Sequence, residues 1–411
     1  MVVSNAPDYL RRLSLLGWLG LLASGAWAQA SPLTRLIREN HLPLTPGTGQ
    51  AFSGAGWDRL HQDVSRSQFV LVGEMHGTAQ IPQFTAALAQ VLQPTFFVAE
   101  ISRYEAEDLS QLVAQPGPPH AYLAQHPFAL SFYSWPAEFA LARQLRAQQV
   151  QLLGIDQLSC FAAGRFLSRL AERARRPAAK AYLQRQATAC QAADRAIMAT
   201  DASQLAMFQP PAATLDSLRA LTRGESAPVR QLVADFAASC AIYHAQVTHT
   251  GGHQERVGLM KSNLLRELRT QGLPAGEPLP KMLFKFGDEH MARGLSYSNL
   301  FDVGNLVINL ADMQNQASLH LLVMGKRGAF SGGFNPDEPS KNVVTYSPTE
   351  LAWLQPFYDQ VGESWGVFDL RPARQALLKG QLHIADQPLE RAILGYDYLI
   401  IIPETTANPA W

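Results

Sequence analysis

The sequence predicts an α/β fold: a central, mostly parallel mixed sheet flanked by helices, with a large helical insertion between the third and fourth strands. Three observations carry this expectation. Short apolar runs recur along the chain, nearly continuous in Val, Ile, Leu and Phe, as strands buried on both faces require. Segments with helical periodicity lie between them. From about residue 164 to 271 the runs stop, and Ala, Leu, Arg and Gln dominate.

The elements follow in order. Residues 29–56 form a mixed lead-in containing the flexible-looking TPGTGQAFSGAG. GWDRLHQDVSRS gives a turn or two of helix and feeds the first strand, QFVLVGE. A helix, IPQFTAALAQVL, follows it, and TFFVAEI is the second strand. The helix PAEFALARQLRAQQ precedes the third strand, VQLLGID. The helical insertion, about 160–272, breaks near Gln209-Pro210-Pro211 and Thr250-Gly251-Gly252. KMLFKFGD is then the fourth strand, with NLVINLA and LHLLVMG read as the next two. KRGAFSGGFNPDEPSKN has the turn chemistry of a long loop. DLRPARQALLKG reads as a last helix before the closing strand YDYLIIIP. Residues 29–411 are expected to form one domain that includes the insertion.

Composition narrows the class. In 411 residues, 47% are hydrophobic and 17% charged, which supports a large core and not a disordered chain. Lys plus Arg equal Asp plus Glu at 34 each, so nothing suggests nucleic acid or an anionic membrane as a general partner. Arg11 and Arg12 precede the apolar LSLLGWLGLLASGAW, and Ala26-Trp27-Ala28 fits a small-x-small cleavage site. Residues 1–28 therefore read as a secretory signal peptide. The mature protein is expected to be periplasmic or secreted, without a membrane anchor. Cys160, Cys190 and Cys240 make an odd count, so at least one thiol stays unpaired.

The chemistry lies at the strand ends. The first strand ends at Glu74 and His76, the second at Glu100, the third at Asp156, and the fourth runs into Gly287-Asp288-Glu289-His290. Parallel neighbours would bring these groups to one rim, where open α/β sheets bind ligands. An imidazole beside a carboxylate suits a general base, and the same pair suits a metal. A capping acid and a turn histidine account for Glu74 and His76 equally well. Glu100 could pair with Arg103, and Asp156 could cap a helix. Lys285 and Arg293 read either as anion-binding groups or as solvated charges. Trp135 closes the aromatic HPFALSFYSW, a pocket wall or a piece of core. GxSxG, GxxxxGK[ST], HExxH and a GxGxxG after the first strand are all absent, which disfavours serine hydrolases, P-loop enzymes, zincins and Rossmann dehydrogenases.

VLVGEMHGT, VAEIS, W-x-x-E ahead of LLGIDQ, FGDEHMARG and FDLR, in that order, resemble the erythromycin esterase family and its wider superfamily of ChaN-like and Tiki/TraB-type proteins. The resemblance implies a cleft over the strand ends of an α/β core. It implies His76 as the general base that activates water, His290 as a second supporting histidine, and Glu74 and Glu100 as their carboxylates. No cofactor is needed for that chemistry, and the partner is a small-molecule substrate. The Tiki-type branch implies a metal-dependent peptidase, with Glu74, His76, Glu100 and His290 as candidate ligands. The ChaN-like branch implies non-catalytic binding of haem or another small ligand. GEMHG is one residue shorter than the GExxHG of the esterases. The next helix also lacks the arginine that those esterases carry, with Thr85 in its place.

Overall fold

The computed structural model describes residues 31–49, 51–210, 212–272, 277–346, 351–409 and 411. The expected signal peptide, residues 1–28, lies outside them. Eleven strands are present among the described residues: β1 (His41–Pro46), β2 (Phe52–Ser53), β3 (Phe69–Glu74), β4 (Phe96–Ala99), β5 (Gln151–Gly154), β6 (Met282–Gly287), β7 (Ser318–Gly325), β8 (Ala329–Ser331), β9 (Val343–Thr345), β10 (Trp365–Asp369) and β11 (Tyr398–Ile402). Nine of them form one sheet, ordered β2-β1-β10-β11-β7-β3-β6-β4-β5. From β11 to β5 every pairing is parallel. The antiparallel pairings are confined to the β10 and β1 edge.

Alternation along the strands builds two cores. Phe69, Leu71, Phe284 and Phe286 face one layer of helices, which includes His253–Thr270 and Val303–Asp312. Val70, Val72 and Leu283 face the other, which includes Gln80–Leu92 and Pro136–Ala147. Between β5 and β6 the described chain is helical, from Ala163–Arg173 through Pro177–Ile197, Ala212–Thr222 and Ala227–Val247 to His253–Thr270. The insertion carries its own apolar cluster, with Phe166, Leu170, Leu183 and Phe236. No helix of the described residues is long and apolar enough to cross a membrane. All three cysteines are free thiols.

Two expectations are corrected. NLVINLA is not a strand but the body of the helix Val303–Asp312. Asp302 caps that helix through Val303 N–H, and Val303, Val307 and Ala311 recur at a spacing of four to face the core. The lead-in is also more regular than its composition suggests: it forms the helix Pro32–Glu39 and the edge strands β1 and β2. Within KRGAFSGGFNPDEPSKN and just after it, β8 and β9 form a small antiparallel pair.

Candidate functional site

Parallel order places the ends of β3, β6, β4 and β5 side by side. Glu74 is the last residue of β3, and its register partner on β6 is Gly287. The strand stops there, and His76 sits in the following turn. Gly77 makes that turn possible: its φ is +86°, and a Cβ there would stand 2.0 Å from the Ser331 carbonyl oxygen. The turn folds His76 back so that Nδ1 lies 3.0 Å from Glu74 Oε1 and Nε2 lies 3.2 Å from Glu100 Oε2. Phe132 stacks on the ring, with centroids 3.8 Å apart.

Glu100, just past β4, joins the two histidines. It also accepts the Gly287 N–H at 2.6 Å and approaches His290 Nε2 at 3.4 Å. His290 ends a short 3-10 turn beyond β6, and its Nδ1 meets Asp302 Oδ2 at 2.9 Å. On the other side of Glu74, Lys285 donates to both Glu74 and Glu138, the latter at 2.6 Å. Alternation explains that arrangement. Lys285 shares its face of β6 with Leu283, which packs in the same core as Val70 and Val72 on the Glu74 face of β3. The helix Pro136–Ala147 covers that face and brings Glu138 in its first turn.

One row of alternating acids and bases results: Asp302, His290, Glu100, His76, Glu74, Lys285 and Glu138. Burial disfavours charge on His76, but Glu100 and Glu74 outweigh it and push the imidazole up to about 9. His290 follows the same logic: Glu100 and Asp302 overcome burial and push it up to about 10. The two imidazoliums hold Glu100 well below the usual carboxylate range despite its burial. Lys285, then His76, hold Glu74 below it. At the end of the row burial prevails over the pull of Lys285, and Glu138 is pushed up to about 7. Glu74 Oε2 and Glu138 Oε2 are both buried without a hydrogen-bond partner.

Glu74, His76, Glu100 and His290 thus come together. Asp156 joins them indirectly. It accepts from Arg256 Nε at 3.1 Å and from Nη2 at 2.5 Å, while the same Nη2 donates to Glu100 at 2.7 Å. Arg256 Nη1 lies 3.3 Å from His290 Nε2. Lys285 is buried beneath the row and spoken for by two carboxylates. Arg293 is not brought to the row: its guanidinium pairs with Asp397, away from the four central groups. Trp135 stands one ring removed from His76, packed 5.8 Å from Phe132. The competing pairing of Glu100 with Arg103 does not form, since Arg103 pairs with Glu267.

No family model matches the sequence, and no curated protein matches it. Solved structures do. A histidine-to-asparagine mutant of the erythromycin esterase EreC, in its open conformation, superposes with a TM-score of 0.54 at 15% identity, over 90% of this chain and 98% of that one. The fold is erythromycin esterase-like. A Bacillus cereus protein gives a TM-score of 0.53 at 14% identity, over 92% and 99% of the two chains. A succinoglycan biosynthesis protein gives 0.55 at 13%, over 92% and 98%. At these identities the likeness is one of fold.

On this esterase-like sheet the row does not suit a metal. Among the described residues no group of three or more His, Cys, Asp or Glu side chains is arranged to hold an ion. The carboxylates already face the cationic groups of Arg256 and Lys285.

Sequence reasoning missed Arg256, Asp302 and Phe132, and quoted Glu138 without giving it a role. Asp302 had a signal: an acid just before a helical repeat of four. Arg256 had none, because its placement depends on how the last helix of the insertion lies across the strand ends. The helix after β3 carries no arginine, and the guanidinium at the row comes from that insertion helix instead.

Proposed function

We propose that this chain is an exported hydrolase of an ester, lactone or amide bond. One observation carries the reading: the unbroken row of carboxylates and imidazoles over the strand ends, with His76 clasped between Glu74 and Glu100. The fold it shares with an erythromycin esterase adds support, and the signal-like N-terminus supports export to the periplasm or beyond.

The chemistry assigns each group a task. Glu74 keeps the Nδ1–H of His76 and fixes the tautomer, which leaves Nε2 to face water once substrate displaces it from Glu100. Nε2 takes a proton as the water oxygen bonds to the carbonyl carbon. Protonated His290 and Arg256 lie beside Glu100 and stabilise the oxyanion of the tetrahedral intermediate. Collapse breaks the bond to the leaving oxygen or nitrogen, which takes the proton back from His76. The products are a carboxylic acid, which gives its proton to solvent, and an alcohol or amine.

With its pKa near 9, His76 is neutral in roughly one molecule in a hundred at pH 7. The proposal therefore requires turnover to rise toward alkaline pH. A screen of aryl esters and lactones with the mature protein tests it. His76→Ala is expected to lower kcat/KM by about 10²–10⁴-fold, and equal turnover by the variant overturns the role of His76.

A further inference from the structure

A second space lies beside Trp135. It is a cavity of about 390 Å³ with Leu123, Pro127, Phe128, Trp135, Pro136 and Trp411 in its wall, within the roughly 300–1,000 Å³ of small-molecule sites. Two further wall residues, Ser331 and Asn408, donate to the Gly77 carbonyl at 3.0 and 3.1 Å. Gly77 directly follows His76, so the wall of the cavity and the turn that aims the imidazole are one structure. Trp135 links the two again through Phe132.

The lining indicates the kind of ligand. Aromatic rings and prolines dominate it, and the one guanidinium, Arg195, is already paired with Asp337. No free charge of the wall calls for a charged ligand. Trp411 is fixed in the wall by its indole N–H, which donates to the Ser134 carbonyl at 2.6 Å.

We infer that this cavity is a binding site for a neutral, ring-bearing apolar group. Resting on the hydrolase reading, that group is the acyl or alcohol portion of the substrate whose carbonyl lies at His76. The rings of Trp135 and Phe128 provide offset or edge contacts for it.

Calorimetric titration of the mature protein with 2-naphthol tests the site without requiring turnover. Saturable binding is expected at sub-millimolar concentration. Ala124→Trp, on an exposed position of the wall, fills the space and is expected to weaken binding at least tenfold. Val343→Trp, at another exposed position of the wall, serves if the first variant fails to fold. No saturable heat with the wild-type protein, or equal affinity in both tryptophan variants, overturns the inference. Naphthol binding without turnover of naphthyl esters removes the hydrolase reading and leaves the cavity assignment standing.

Discussion

Two buried imidazoles show what the site does to a histidine. His320, on β7, is fully buried. Its Nδ1 meets the Met291 carbonyl at 2.7 Å, and its backbone N–H donates to Asp397. Burial, helped by Arg293, pushes it down to about 3, so it is neutral. His76 is also enclosed, yet it carries a proton to about 9. The difference lies in the partners. His320 has a carbonyl and cationic neighbours, whereas His76 has a carboxylate on each nitrogen. Burial alone yields an inert imidazole, and only the strand-end acids make a titratable one.

The largest expected effect breaks the comparison by removing each ring. His76→Ala should abolish most turnover, and it should also lower stability below about pH 9, because Glu74 and Glu100 lose the imidazolium between them. His320→Ala should lower stability by about 2–4 kcal/mol with kcat/KM little changed. Thermal unfolding and steady-state kinetics on the two variants check both halves.

Next is Arg256→Met, which leaves Asp156 buried without its cation and removes one of the three cationic groups at Glu100. Breaking such a pair costs about 3–5 kcal/mol. Loss of its repulsion should also raise the His290 pKa further. Denaturant unfolding and an NMR titration of the histidine ring signals measure the two effects.

The third sharpens the comparison by pH. The His76 pKa is raised in the fold from its ordinary 6.5, so its contribution to stability is complete below 6.5 and is lost as pH rises through about 9. The His320 pKa is depressed, so its contribution is complete above 6.5 and is lost as pH falls toward about 3. His76→Gln should therefore flatten the alkaline limb of a stability–pH curve, and His320→Gln the acid limb. Swapped or unaltered limbs would contradict the assignment of protons to these rings.

The smallest effect is expected from Glu138→Gln, at the far end of the row. It removes a negative charge that acts on His76 through space. The alkaline limb of turnover should move down by less than about one pH unit, with kcat reduced only severalfold. Glu138 is thus a positioning residue, and a pH–rate profile separates that role from simple loss of structure.

The same contrast explains what was legible in the sequence. Glu74, Glu100 and the GDEH turn each interrupt a continuous apolar run, and a costly polar group at such a point signals a site. The parallel core was legible because β3, β4, β6, β7 and β11 are apolar on both faces. NLVINLA was misread because a seven-residue apolar run fits either element, and the spacing of Val303, Val307 and Ala311 decides for helix. The antiparallel strands β1 and β10 contain Pro43 and Gly366 and lack that signature. Lys285 and Arg293 looked equivalent in FKFGDEHMARG. Strand alternation separates them: Lys285 shares the face of Leu283 and meets Glu74, while Arg293 lies beyond the turn and meets Asp397. Arg256 stayed hidden because the carboxylates it meets lie 100 and 156 residues away in the chain.

The pH dependence of kcat/KM for an ester turned over by the mature protein tests the central claim most directly. Catalysis by neutral His76 predicts a tenfold rise per pH unit that levels near pH 9, and His76→Ala should abolish the rise. A flat profile, or the same profile in the variant, would contradict it.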